Sequence, residues 1–280
     1  MIVKQLMAEG ASLGHALGAV GLAKSTWFYR SRPRAPRPLQ PELVRLLRTL
    51  RGYELCYGYR KVRAWLRRRG VAVNGKCLLR HLRALRMTQP RKRKGRPYAS
   101  YPRMRPTAPN TYWEADTTGV STGEGCLWAC VVVDPAVGSL PVGQLMHSRC
   151  RALEASAVLE AAVAAAFPRE GRVPEGRHLI LRVDRGSQFV ALSFRQTAET
   201  LGVTLQYCGV QCPNEKPFVE SFFSRYKVEE VYRSEYLTQE EAKAGWEKWT
   251  GWYLTRRLHS RLGYRPPIEV QRTLAQAAAG

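Results

Sequence analysis

The order of secondary structure from residue 111 onward is the feature that most constrains the fold of this chain. Three runs are typical of strands, because β-branched and aromatic residues lie between turn signals: TYWEADTTGV, GCLWACVVVD and SLPVGQLMHS. Helix and strand then alternate through RALEASAVLEAAVAAAF, HLILRVD, SFRQTAETLG, VTLQYCG and the helix KPFVESFFSRYK. The order β-β-β-α-β-α-β-α predicts an α/β layer with a mixed sheet.

Charge divides the chain into two parts. Residues 1–110 carry 26 lysines and arginines against three acidic residues, whereas residues 111–280 carry 19 of each sign. The whole net charge of +23 therefore belongs to the first part, which indicates a polyanionic partner, with nucleic acid as the default. We expect the first part of the chain to bind the polyanion and the second part to carry out the chemistry.

Two further features of composition bear on location. No apolar run approaches the roughly 18–20 residues of a membrane span, and no membrane partner is predicted. The seven cysteines are odd in number and include no CxxC pair, which argues against a disulfide framework. We expect a reduced cytoplasm.

The basic part divides into helical modules and linkers. Residues 1–30 have helix-turn-helix-like spacing, and residues 31–41 form a linker rich in proline and arginine. Residues 42–88 predict a basic helix-turn-helix domain, with Asn74 capping its second helix, although a solvated helical hairpin would give the same pattern. Residues 89–110 are expected to form an extended basic arm along a phosphate backbone. A catalytic core over 111–237 and a helical extension over 238–280 complete the predicted organisation.

Three acidic residues of the neutral part lie where their side chains could converge. Asp116 lies inside the first strand, Asp184 ends HLILRVD, and Glu220 lies on the last helix of the core. Phosphodiester chemistry commonly uses two Mg²⁺ ions held by such carboxylates. Ordinary alternatives are a cap, a turn aspartate, and a helical ion pair between Glu220 and Lys216 four residues earlier. Glu114 shares a strand face with Asp116 and is a weaker candidate ligand.

The surroundings of Glu220 look apolar in the sequence but not on a helical wheel. At 100° per residue, Phe218, Val219, Phe222, Phe223 and Tyr226 lie about 160–300° away from Glu220. The nearest residues on the wheel, within about 40°, are Lys216, Ser224 and Lys227. We expect Glu220 to lie on a polar stripe of a helix whose aromatic face is packed.

A family resemblance follows from these motifs. WEADTT, VDRGSQF and VESFF, with 35 residues between Asp184 and Glu220, resemble the retroviral-type integrase core of DDE transposases. The chain is similar in particular to the second-frame (OrfB) transposase of insertion sequence 3 elements. The supporting motifs YGYRKVRAWLRRRGVAVN, NTYWEADTT and HSRLGYRPP occur in family order.

The resemblance implies a ribonuclease-H-like core, with a mixed five-stranded sheet and flanking helices, preceded by an all-α helix-turn-helix region. It implies that Asp116, Asp184 and Glu220 bind two Mg²⁺ or Mn²⁺ ions. Water and then a DNA 3′-hydroxyl would be the nucleophiles of strand cleavage and strand transfer. The family does not use the equivalent of Asp134 as a ligand, so we expect a structural role for it.

Charge and resemblance together nominate DNA-contact residues and partners. The nominated residues are Lys227, Arg185, Gln188, Arg60, Lys61, Lys76, Arg80 and Arg83. The expected partners are element ends and target DNA, further copies of this chain on DNA, and a first-frame (OrfA) protein, in a bacterial cytoplasm near the nucleoid. Two alternatives remain: a degenerate transposase that only binds DNA, and a structure-specific nuclease with the same core.

Overall fold

The computed structural model describes residues 2–30, 37–90, 106, 108–146, 149–209 and 216–279. The chain divides into two compact units, residues 1–48 and residues 49–280. This division is coarser than the six predicted segments, whose boundaries stay predictions. Most of the predicted linker over 31–41 and most of the predicted arm over 89–110 lie outside the described residues.

The first unit is helical, as its sequence predicts. Its helices are α1 (Ile2–Ala8), α2 (Leu13–Ala19), α3 (Lys24–Phe28) and α4 (Pro41–Leu47). Ser12 begins α2, because its hydroxyl accepts a hydrogen bond from the backbone N–H of His15 at 3.3 Å. Val3, Ala16 and Leu17 form the small buried cluster that holds α1 against α2.

The second unit begins with a 3-10 helix (Gly52–Cys56), α5 (Tyr59–Arg67) and α6 (Gly75–Ala84). Gly70 follows α5 with a φ of 78°, a left-handed conformation that glycine adopts at little cost. Asn74 caps α6 as expected, since its side chain accepts from the N–H of Lys76 at 2.9 Å. The two helices pack on each other. Whether they act as a helix-turn-helix stays a prediction.

Within the described residues, five strands form one mixed sheet, which confirms the predicted architecture. The strands are β1 (Tyr112–Thr122), β2 (Gly125–Asp134), β3 (Ser139–Met146), β4 (Leu179–Val183) and β5 (Val203–Tyr207). Their order is β3-β2-β1-β4-β5. The first three pair antiparallel, whereas β1, β4 and β5 pair parallel. Parallel pairing needs crossover helices, which the sequence supplies between β3, β4 and β5.

Helices cover both faces of the sheet. They are α7 (Ala152–Ala166), α8 (Ser187–Val190), α9 (Leu192–Thr200), α10 (Pro217–Glu229), α11 (Gln239–Thr255) and α12 (Pro267–Ala279). One core cluster joins the sheet to α7 and α9, and a second joins it to α10 and α11. Along β2, Cys130 and Val132 belong to the first cluster and Val131 and Val133 to the second, which is the two-residue alternation of a strand buried on both faces.

In the described part of the chain, every helix is too short or too polar to cross a membrane.

Candidate active site

The sheet register brings two of the predicted carboxylates to the same level. In the parallel pair of β1 and β4, Tyr112 lies opposite Ile180 and Glu114 opposite Arg182. Continuing this register by two residues places Asp116 opposite Asp184, just beyond the end of β4. Side chains on neighbouring strands with the same parity point to the same face, so the two aspartates are close together.

Lys216 joins these two aspartates. Its ammonium group lies 3.1 Å from Asp116 Oδ1 and 3.0 Å from Asp184 Oδ2, and it also donates to the carbonyl oxygen of Ala115 at 3.4 Å. Lys216 is only 6% exposed. The ordinary alternative, a helical ion pair between Lys216 and Glu220, is therefore replaced by a bridge from the start of α10 to two strands.

Glu220 lies one turn after Lys216, because its backbone N–H bonds to the carbonyl oxygen of Lys216 at 3.1 Å. Glu220 is exposed, whereas Val219, Phe222 and Tyr226 are at most 2% exposed. The aromatic face of α10 packs edge-on against α11, with ring centroids of Phe222 and Trp249 5.2 Å apart. The predicted polar stripe on a firmly packed helix is confirmed for Glu220.

The electrostatics of the cluster are dominated by burial and by excess negative charge. Burial raises the pKa of Asp116, and the ammonium of Lys216 opposes that shift. Although Glu220 is exposed, neighbouring protein atoms remove part of its hydration and so raise its pKa, and the negative charge of Asp116 adds to the effect. Burial alone would lower the pKa of Lys216, but the charges of Asp116 and Asp184 outweigh it and the pKa is raised. One cation thus serves several carboxylates.

A tight turn fixes Asp184. Its Oδ1 accepts a hydrogen bond from the N–H of Gly186 at 2.8 Å. A Cβ atom at residue 186 would lie 2.8 Å from that oxygen and 2.7 Å from Nε2 of Gln188. The turn therefore requires glycine for lack of space, and it leaves Oδ2 of Asp184 to face Lys216.

Glu114 has a different role from the weak candidate ligand that its strand position suggested. Its side chain is fully buried, and its Oε2 accepts hydrogen bonds from the N–H groups of Phe218 and Val219, both at 2.9 Å. These donors belong to the first turn of α10, where backbone N–H groups lack helical partners. Burial raises the pKa of Glu114 to about 7. Glu114 thus anchors the start of the helix that carries Glu220.

Asp134 has the structural role that was expected. It is buried and accepts from the N–H groups of Asn110 at 2.8 Å and Ala136 at 2.7 Å. The bond from Ala136 closes the turn that follows β2, and the bond from Asn110 ties the segment before β1 to the end of β2.

The carboxylate oxygens of Asp116, Asp184 and Glu220 suit a hard divalent cation, although the three side chains are not gathered around a common point. Carboxylate oxygens are the ligands that Mg²⁺ and Mn²⁺ prefer. The ammonium of Lys216 stands where positive charge is needed between Asp116 and Asp184, and so marks the place of a cation. Among the described residues, no group of three or more His, Cys, Asp or Glu side chains is close enough to form a metal site. The assignment of Asp116, Asp184 and Glu220 as metal ligands stays a prediction.

The nominated DNA-contact residues are spread over the second unit. Arg60 and Lys61 lie in the first turn of α5, Arg185 and Gln188 follow β4, Lys227 lies in the last turn of α10, and Lys76, Arg80 and Arg83 lie on α6. Arg60, Lys76, Arg83 and Arg185 are exposed and the other four are half-buried. Their roles stay predictions.

Two residues that matter to the site were not identified from the sequence. Lys216 was considered only as a partner of Glu220, and Glu114 only as a possible ligand. A signal was present for Lys216: it directly precedes Pro217, and proline at the first helical position marks a helix start. A lysine directly before the first helical residue lies outside the helical repeat, so its side chain can extend towards the sheet.

Comparison with known families assigns the core. Residues 106–213 match a family model described as "Integrase core domain", and residues 201–267 match a second model with the same description. Together with the strand order, these matches confirm the expected ribonuclease-H-like core. Over these residues the chain is similar to integrase core domains.

Its relatives include insertion-sequence proteins. The chain is 29% identical over 273 residues to the "Probable transposase for insertion sequence element IS1353" of Shigella flexneri, covering 92% of this chain and 51% of that protein. It is 29% identical over 164 residues to the "Transposase for insertion sequence element IS629" of Shigella sonnei, covering 59% of this chain and 52% of that protein. The chain therefore spans about half the length of these two relatives.

A solved structure is also similar. The catalytic domain of Mos1 mariner transposase aligns with a TM-score of 0.44 and 15% identity, over 51% of this chain and 70% of that one.

Proposed function

We propose that this protein is a DNA transposase that cleaves DNA at the ends of a mobile insertion element and joins those ends to target DNA. The observation that carries the proposal is the convergence of Asp116 and Asp184 on one cation position, with Glu220 one helical turn from the lysine that fills it. The two relatives, named as a probable transposase and a transposase, support the same activity.

In this proposal Asp116, Asp184 and Glu220 hold two divalent ions, Mg²⁺ or Mn²⁺. Such ions would supply positive charge against the attacking and leaving oxygens of a phosphodiester. The aspartates come from a rigid sheet and Glu220 from a helix fixed at its start by Glu114, so the three carboxylates are held by packed elements. Lys216 would leave its position between the aspartates when ions take it.

The remaining expectations belong to the same proposal. The basic residues nominated above would contact phosphates of element ends and target DNA, and two ends would be paired by more than one copy of the chain. Assignment to the second-frame transposases of insertion sequence 3 elements, a first-frame partner protein and a place near the bacterial nucleoid all follow from the resemblance.

A strand cleavage and joining assay on element-end DNA tests the proposal. We expect activity that requires Mg²⁺ or Mn²⁺ and is abolished by Asp184→Asn, while DNA affinity is kept. Glu199→Gln, which removes an exposed acid of α9, is the matched control and should leave activity unchanged.

The other outcomes identify the alternatives. Cleavage without joining would support a structure-specific nuclease. A parent protein that binds element ends but never cleaves them would support a DNA-binding protein without enzymatic activity. Full activity in Asp184→Asn would overturn the assignment of the site.

A further inference from the structure

A cleft of about 540 Å³ lies in the second unit, between α5, α10 and the segment that follows α11. We call it the basic cleft. The cationic side chains that line it are Arg60, Lys61, Arg225, Arg257 and Arg261.

Positive charge exceeds negative charge in the basic cleft. Glu229 is the one carboxylate among its described lining residues. Arg257 already holds Glu229 with two hydrogen bonds, of 2.7 and 2.8 Å, and both side chains are at most 4% exposed. The other four cations therefore face a cleft in which the only carboxylate is neutralised. An anion entering the cleft would meet one half-buried cation, Lys61, and three exposed ones, Arg60, Arg225 and Arg261.

Lys61 is the cation of the basic cleft on which burial and neighbouring charge act most strongly. Its ammonium lies 5.1 Å from the ring centre of Tyr57. Burial, followed by the nearby charge of Arg257, lowers the pKa of Lys61 to about 7. Burial and the charge of Arg257 together outweigh the opposing effect of Glu229, which Arg257 already neutralises.

Three tyrosines also line the basic cleft, and two of them, Tyr59 and Tyr264, are not buried. Tyr59 is 37% exposed, and Arg60 donates to its hydroxyl at 3.3 Å. Tyr264 has a φ of 61°, which is an uncommon conformation for an aromatic residue, and its N–H bonds to the carbonyl oxygen of His259 at 2.8 Å. Such strain is concentrated at functional sites. Cations that follow a phosphate backbone, together with aromatic rings for bases, characterise single-strand nucleic-acid sites.

The basic cleft adjoins the candidate active site along α10. Ser221, Arg225 and Glu229 line the cleft and lie about 100°, 140° and 180° from Glu220 on the helical wheel. One helix therefore carries Glu220 on one side and the wall of the cleft on the adjacent and opposite sides.

We propose that the basic cleft binds about one or two nucleotides of single-stranded DNA next to the strand on which the carboxylates act, since a cavity of this size encloses a small ligand and not a duplex. Arg60, Lys61 and Arg225 bind its phosphates, and Tyr59 and Tyr264 contact its bases. The inference rests on the proposed function, because it takes DNA as the substrate. It adds the place at which an unpaired segment of that DNA is bound.

Fluorescence anisotropy tests this inference with the full chain carrying Asp184→Asn, without divalent ions. The probe is a labelled single-stranded oligonucleotide of about 12 nucleotides, within the span that single-strand sites occupy. A duplex of the same sequence is the second probe. Because neither cleavage nor metal is involved, the result is independent of the activity assay.

Three single substitutions are compared in this background. Arg225→Gln should weaken single-strand binding about tenfold and reduce the slope of log K against log salt by about 0.7, the value for one lost phosphate contact. Tyr59→Leu should weaken single-strand binding by about tenfold with little change in the salt slope, because a stacked base is lost. Arg195→Gln, which removes an exposed arginine of α9, is the matched control and should change neither quantity.

The duplex probe should keep its affinity within about twofold in every variant, because most duplex contacts come from elsewhere in the basic part. Equal losses for Arg225→Gln and Arg195→Gln would overturn the inference. So would equal losses for the two probes, or an absence of single-strand binding by the parent.

Discussion

Two ion clusters of the second unit differ in their balance of charge. Arg257 and Glu229 form a matched pair with two hydrogen bonds, and both side chains are at most 4% exposed. At the other end of α10, one lysine serves both Asp116 and Asp184, with Glu220 nearby. In a matched pair the two charges neutralise each other, and the pair stabilises the fold. An unmatched cluster calls for another cation, which is what a metal-binding site requires.

The largest effect should come from breaking the matched pair. Arg257→Met leaves the carboxylate of Glu229 buried without its cation, and we expect a loss of about 3–5 kcal/mol in the free energy of unfolding. Urea denaturation measures the loss. The double variant Arg257→Met/Glu229→Met should be more stable than Arg257→Met alone. A loss below about 1 kcal/mol, the level of a surface ion pair, would contradict the account of this pair.

The next effect concerns a buried carboxylate whose partners are backbone N–H groups. Glu114→Ala removes the acceptor for the first turn of α10, and we expect a loss of about 2 kcal/mol together with lower strand-cleavage activity. Glu114→Gln keeps an oxygen at the same place and should recover most of both. If Glu114→Gln is as inactive as Glu114→Ala, Glu114 acts through its charge and not by positioning the helix.

Removal of Lys216, the single cation of the unmatched cluster, should have a smaller effect on stability. The size of that effect should depend on whether divalent ions are present. Without divalent ions, Lys216→Met leaves Asp116 and Asp184 facing each other, and we expect a loss of about 1–2 kcal/mol at neutral pH. Millimolar Mg²⁺ should restore the stability, because it replaces the missing charge. Lys227→Met, on the same helix, should stay within about 0.5 kcal/mol of wild type. Equal behaviour of the two variants would show that the bridge of Lys216 is without consequence.

The smallest expected effect is a pH dependence in the basic cleft, where a cation lacks a carboxylate. Burial and then the charge of Arg257 lower the pKa of Lys61 to about 7, so Lys61 is charged below pH 7 and neutral above it. The affinity for single-stranded DNA should therefore fall as the pH rises from 6 to about 8.5. The loss is up to about tenfold when binding of a phosphate raises the pKa of Lys61 by about one unit. Lys61→Met should bind weakly at every pH in that range.

The groups around Lys61 do not produce this pH dependence themselves. Glu229 is held by Arg257, and Arg225 stays charged. Burial lowers the pKa of His259 to about 2, so His259 stays neutral, and burial raises the pKa of Cys56. An unchanged pH profile in Lys61→Met would therefore rule out Lys61 as the titrating group.

The sequence predicts the sheet more completely than the site. The positions of the strands and of the crossover helices follow from hydrophobic periodicity and turn residues, which are local signals, and all five strands occur where expected. The sequence indicated that Asp116 and Asp184 could converge, and the register of β1 and β4 together with the bridge of Lys216 brings their side chains close. The side of α10 that carries Glu220 was correctly predicted from the helical wheel alone.

The rest depends on contacts between residues far apart in the chain. The bond from Glu114 to the N–H groups of α10 spans more than a hundred residues, and periodicity carries no signal for it. Lys216 reaches Asp116 and Asp184 only because the chain enters α10 beside the end of β4. The pair of Arg257 and Glu229 joins the last turn of α10 to the segment after α11, which the sequence does not indicate either.

The most direct test of the central claim is a thermal unfolding titration with Mg²⁺ for wild type and Asp184→Asn. If the unmatched carboxylates bind divalent ions, Mg²⁺ at about one hundred times its Kd stabilises wild type by about 2.7 kcal/mol. For a chain of this size the midpoint then rises by roughly 5–10 °C. Asp184→Asn should show little or no rise. Equal rises in the two proteins, or none in wild type, would contradict the claim that these carboxylates form a metal site.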